Sequence, residues 1–208
     1  MYNILKLKLE EGLDYADYRV LIKQLLSKDK TTGLEQTPGR VEITRLNEKR
    51  MDRLEKTITL SDDIKQILLG LKKQYVFLVI SEAWCADSAQ SLPILAKMAE
   101  FSDNLDLQII LRDENLDLMD EYLTKGGRSI PKLICIEACD FRELGTWGPR
   151  PEYLQQRMTA YKKHPDMPYK DFQKEQQMWY AKDKGRHLQD DFIQLFNHWE
   201  AKVGQPCD

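Results

Sequence analysis

Apolar positions change their period near residue 75. Before it they recur at helical spacing: Tyr18, Leu21, Ile22, Leu25 and Leu26 form one stripe within residues 15–26. Thr31-Thr32-Gly33 and Thr37-Pro38-Gly39 break the chain. A charge-rich helix is predicted from about Val41 to Leu54. Ser61-Asp62-Asp63 reads as a helix start, followed by Ile64, Ile67, Leu68 and Leu71 on one face. The first 70 residues therefore read as helices packed on a core, with no recognisable chemistry of their own.

From Tyr75 the pattern is that of strands alternating with helices. Tyr75–Ser81 is apolar on both faces, as a central parallel strand must be. A helix is predicted from Ser88 to Phe101, a second buried strand near 105–111, and a helix from Asn115 to about Leu123 closed by Gly126-Gly127. Strands over Lys132–Ile136 and Phe141–Trp147 make a hairpin, and Pro151 opens another helix. The first two strands should be parallel with a right-handed crossover, and the last pair antiparallel. After the break at Lys163-His164-Pro165-Asp166-Met167-Pro168, one or two helices fill Tyr169 to Val203. Trp179, Tyr180, Phe192, Leu195, Phe196 and Trp199 are their expected buried contacts. Such an aromatic stripe serves as core or as a dimer contact, so a homodimer is compatible with it.

The chain of 208 residues suits one domain with added elements. The expected organisation is a single domain over 1–208, with a core at 75–161, an amino-terminal helical extension at 1–72 and a carboxy-terminal one at 165–204. A net charge of −3 argues against a nucleic-acid partner. Apolar runs are too short to span a membrane. Met1-Tyr2-Asn3-Ile4-Leu5-Lys6 lacks a secretory pattern, so a cytoplasmic location is expected. The four cysteines, Cys85, Cys135, Cys139 and Cys207, are too few for a disulfide framework, and most are expected to be free thiols. His164, His187 and His198 have no metal-type spacing, and no second pair completes Cys135 and Cys139. No metal or other cofactor is expected.

The chemistry concentrates where the first strand ends. Glu82-Ala83-Trp84-Cys85-Ala86-Asp87-Ser88 places Cys85 in a strand-to-helix turn, at the helix amino terminus. Free backbone N–H groups and the helix dipole favour a thiolate there. Cys85 is therefore expected to be partly exposed and moderately activated. Asp87 works against the thiolate by its charge, and otherwise stabilises the first helical turn. Pro93 lies eight residues after the cysteine. Farther on, Gly126-Gly127-Arg128-Ser129-Ile130-Pro131 leads into a strand whose first position tolerates proline.

Trp84-Cys85-x-x-Ser88, Pro93 and Ile130-Pro131 together resemble the thioredoxin superfamily. More narrowly, Glu82-Ala83-Trp84-Cys85, Arg112-Asp113-Glu114-Asn115, the Gly126–Lys132 segment and Gly145-Thr146-Trp147-Gly148-Pro149-Arg150-Pro151 look like a little-characterised bacterial thioredoxin-like group. Thr44-Arg45-Leu46-Asn47 and Arg50-Met51 are also similar to that group. The resemblance implies an α/β, thioredoxin-like three-layer fold with a central mixed sheet and helical extensions at both ends. It implies a site of Cys85, Ser88 and Pro131, with a cis Ile130–Pro131 bond against the thiol and Ile130 exposed for substrate pairing. Trp84 would offer an apolar wall to the substrate, or be core. Asp87 and Arg128 are candidate modulators, Arg128 by stabilising an anion or pairing with an acid.

The sequence departs from the dithiol pattern at Ser88, because a serine hydroxyl cannot release a mixed disulfide by exchange. Cys135 should be buried and inert, Cys139 sits at the hairpin turn, and nothing positions Cys207. Two functions follow. One is a monothiol redox protein acting on protein or small-molecule thiols and disulfides, with an external thiol such as glutathione as resolver. The other is a non-catalytic thioredoxin-fold interaction module. Thiol reactivity discriminates them: an alkylation-prone Cys85 favours the first, an inert one the second.

Overall fold

A computed structural model describes residues 2–202. Four helices precede the sheet: α1 (Tyr2–Glu10), α2 (Tyr15–Leu26), α3 (Pro38–Thr57) and α4 (Asp62–Leu69). Then come β1 (Tyr75–Ser81), α5 (Ala86–Phe101), β2 (Leu105–Leu111), a short 3-10 turn, α6 (Leu116–Glu121), β3 (Lys132–Glu137) and β4 (Arg142–Trp147). Three helices follow: α7 (Glu152–Lys163), α8 (Tyr169–Asp183) and α9 (Arg186–Lys202). The starts of α2, α3 and α4 are set by side-chain caps, which satisfy N–H groups that have no partner in the first turn. Asp14 accepts from Asp17 N at 2.7 Å, Thr37 from Arg40 N at 3.4 Å, and Ser61 from Ile64 N at 3.4 Å.

The sheet order is β2-β1-β3-β4, so β1 is interior. It pairs parallel with β2, Tyr75 opposite Leu105, and antiparallel with β3, Tyr75 opposite Glu137. The β3–β4 pair is antiparallel. This is the mixed sheet with flanking helices expected of a three-layer α/β thioredoxin-like fold with helical extensions. Alternation along β1 divides the core. Phe77 and Val79 join the cluster that takes in residues of α2, α3, α4, α5 and α9. Leu78 and Ile80 join the other, with Leu5 of α1 and Leu118 and Met119 of α6. Burial on both faces is why the strand reads as an unbroken apolar run.

Ile22 and Leu68 are buried, whereas Leu21 and Leu25 are only partly so. Phe192, Phe196 and Trp199 of α9 are buried around Phe77, with ring centroids 5.3–6.1 Å from it. Burying each such side chain contributes roughly 1.5–3 kcal/mol. The carboxy-terminal helical stretch divides at Lys184 and Gly185, both left-handed (φ 54° and 78°), and the expected end at Val203 lies outside the described residues. Among the described residues, no helix is long and apolar enough to cross a membrane.

Candidate functional site

β1 ends at Ser81, and Glu82–Cys85 turns the chain into α5. Cys85 is the N-cap of that helix, whose first residue, Ala86, lies two residues before the predicted start at Ser88. Its Sγ accepts from Ser88 N at 3.4 Å and donates to Ile130 O at 3.2 Å. The peptide bonds Ile130–Pro131 and Gly148–Pro149 are both cis. Gly148 fits only as glycine: at φ +110°, an added Cβ would sit 2.3 Å from Pro131 O. The segment after β4 thus braces the one that meets the thiol.

Three local expectations change. Cys85 is buried (9% exposed) rather than partly exposed, because Ile130 and the second core cluster close over it. Its thiol is not activated. Burial first, and then the charge of Asp87, push its pKa up to about 11 against the pull of the Ser88 and Asp87 backbone N–H groups. Ile130 is buried as well, and its carbonyl is taken by the thiol instead of being presented to a substrate.

Ser88 is fully buried beside the thiol, and its Oγ has no hydrogen-bond partner. Pro131 is buried next to Ile130. Trp84 is half-buried, and two guanidinium groups lie over its ring: Arg40 at 3.8 Å and Arg112 at 4.7 Å from the ring centre. Arg128 is exposed and forms a two-pronged pair with Asp120, the acidic partner being eight residues away in sequence. Cys135 is fully buried, with its pKa raised well above the usual value by burial, so it is an inert core thiol. Cys85 and Cys135 are free thiols, Cys139 is disulfide-bonded, and Cys207 lies outside the described residues.

The structure adds partners that sequence reasoning did not assign. Asp87 accepts from Arg150 Nε at 3.1 Å and from Tyr180 Oη at 2.8 Å. Arg150 also donates to Gln155 Oε1 at 2.9 Å. Burial, and then Asp87, hold the Tyr180 hydroxyl well above its usual pKa, so it stays a donor. Behind Trp84, Glu82 is fully buried. One carboxylate oxygen accepts from Asp113 N at 2.9 Å and the other has no partner. Burial raises its pKa. Thr32 Oγ1 accepts from Ala83 N, and Asn47 donates to Ala83 O, both at 2.8 Å, so α3 and the loop before it fix the turn that carries Cys85. Arg150 stood in a motif flagged by resemblance and Tyr180 in the aromatic stripe, but neither carried a signal of its role.

Cys85, Trp84 and Asp87 line a cleft of about 1030 Å³ between α3 and α8. Among the described residues, no cluster of three or more His, Cys, Asp or Glu could hold a metal ion. What the arrangement offers chemically is a protonated thiol at the edge of an open, basic cleft.

The model of a thioredoxin family matches residues 39–163, well over half of the chain, and the chain belongs to that family. No curated protein matches it. In structure it is similar to a protein of unknown function from Pseudomonas aeruginosa, at 19% identity and TM-score 0.60 over 94% of this chain and 96% of the other. It is also similar to an HIV epitope-scaffold, at 19% identity and TM-score 0.59 over 91% and 95%. At these identities the likeness is one of fold.

Proposed function

We propose that this thioredoxin-fold protein acts as a binding module at its Cys85 face, with the thiol a hydrogen-bond donor at rest rather than an attacking nucleophile. The observation that carries this reading is the Cys85 Sγ–H to Ile130 O bond at 3.2 Å in a buried site. A pKa near 11 leaves roughly one thiol in ten thousand ionised at pH 7, and only the thiolate attacks disulfides. Ser88 supplies no resolving thiol.

Monothiol exchange is the second reading, favoured by the place of Cys85 at a helix amino terminus beside an open cleft. In it the Cys85 thiolate attacks a disulfide sulfur and the second sulfur leaves as a thiolate. An external thiolate then attacks the mixed disulfide and releases Cys85. Incubation with oxidised glutathione at neutral pH, followed by intact-mass measurement, separates the two. The module reading expects negligible adduct at Cys85 under conditions that modify a free cysteine peptide. Rapid adduct formation at Cys85 would install the monothiol reading in its place.

A further inference from the structure

The cleft beside Cys85 has a charge opposite to that of the chain as a whole. Five basic residues, Arg40, Arg50, Arg150, Lys170 and Lys174, line it against two acidic ones, Glu35 and Asp87, while the full chain carries −3. Both acids are already engaged. Glu35 accepts from Arg40 at 3.1 Å, and Asp87 from Arg150 and Tyr180. Arg50 is half-buried and donates to the neutral Asn47 Oδ1 at 2.8 Å. Among the described residues neither Arg50 nor the exposed Lys170 is paired with a carboxylate. The wall thus holds cationic charge that its own side chains do not neutralise.

Two further observations point to an occupant. Gln176 is 7% exposed and lines the cleft, and its Nε2 has no hydrogen-bond partner. A buried amide donor in this position calls for an acceptor from outside. Leu46, Tyr169 and Met178, about half exposed, line the same cleft. Exposed apolar side chains gathered around a polar groove mark a binding surface. The volume of about 1030 Å³ also lies at the upper end of small-ligand pockets, which run from roughly 300 to 1000 Å³.

We infer that this cleft holds an extended, acidic segment of a polypeptide partner. Its carboxylates meet Arg50 and Lys170, one backbone carbonyl accepts from Gln176 Nε2, and an apolar side chain rests on Leu46, Tyr169 and Met178. The inference rests on the module reading and specifies its partner. A peptide supplies all three kinds of group at once, whereas a small anion leaves the apolar rim uncovered. The segment passes Cys85 without a covalent step.

The test is selection from a random dodecapeptide phage library by the full-length protein, followed by fluorescence anisotropy on the enriched peptides. Enrichment of Asp and Glu together with an apolar residue is expected. Lys170→Glu, a change at an exposed position, and Arg50→Ala should each weaken binding about tenfold, as loss of one charge-assisted hydrogen bond does. Matching thermal midpoints for the variants and the wild type keep folding out of the comparison. Enriched peptides without acidic bias, or binding indifferent to Lys170→Glu, would overturn the acidic partner and leave the module reading standing. Failure to enrich any peptide would overturn both. Tighter binding of an oligothymidine strand than of any enriched peptide would overturn the polypeptide in favour of a nucleic acid.

Discussion

Arg150, just before α7, reaches across to Asp87 in the first turn of α5 and holds its carboxylate through Nε and Nη2. Both side chains are largely buried, with 14% and 13% of their surfaces exposed. The pair sets the charge felt by the thiol two residues away. Asp87 raises the Cys85 pKa, and Arg150 couples to the thiol with the opposite sign.

Asp87→Asn should therefore lower the Cys85 pKa and speed its alkylation at pH 8 several-fold. Arg150→Gln should do the reverse. Both should destabilise the fold, because each leaves a largely buried charge without its partner, at a cost of about 3 kcal/mol. Iodoacetamide rates and urea midpoints on the same variants check both halves. A slower rate in Asp87→Asn would contradict the electrostatic account.

Ser88→Cys should create a pair that closes a disulfide on oxidation. Ser88 N lies 3.4 Å from Cys85 Sγ, and its Oγ has no partner to lose. Titration against a glutathione redox buffer with gel-shift readout should show one two-electron transition. Absence of that transition means that the side chains of residues 85 and 88 do not face each other.

Gly148→Ala should destabilise by about 2–4 kcal/mol, since a Cβ there meets Pro131 O at 2.3 Å and φ is +110°. Gly39→Ala is the control. Nothing lies within 4 Å of a Cβ at that position in the first turn of α3, so a gain of about 0.5–1 kcal/mol is expected. Thermal denaturation of both variants measures the contrast.

The strand run at 75–81 was legible because β1 is covered on both faces, and Ser61 was legible as a helix start because its cap is a local contact. The position of Cys85 at a helix amino terminus was legible for the same reason. The thiol's protonation was not. It depends on Ile130, 45 residues away, and on burial beneath elements that follow in the chain. Asp87 read as a helix-stabilising acid because its partners, Arg150 and Tyr180, lie 63 and 93 residues on. Of the two roles open to Arg128, holding an anion or pairing with an acid, the structure shows the second, with Asp120 eight residues away.

Glu82 gives the stability a pH dependence of definite sign. Burial raises its pKa in the folded state above the unfolded value. The folded state therefore binds the proton more tightly, and stability falls as pH rises from the ordinary glutamate range through the raised value. Glu82→Gln removes this dependence, so it should gain stability relative to wild type at pH 7 more than at pH 4. Urea midpoints at the two pH values decide it; an equal effect at both would contradict the raised value.

A protonated Cys85 thiol at rest is what binding without covalent chemistry requires. Alkylation of the native protein by iodoacetamide across pH 6–12, read residue by residue by mass spectrometry, tests it directly. Cys85 should react with a midpoint near pH 11, while Cys135 stays unmodified until the protein unfolds. A Cys85 midpoint at or below about pH 8.5, where free and activated thiols titrate, would return the site to monothiol chemistry.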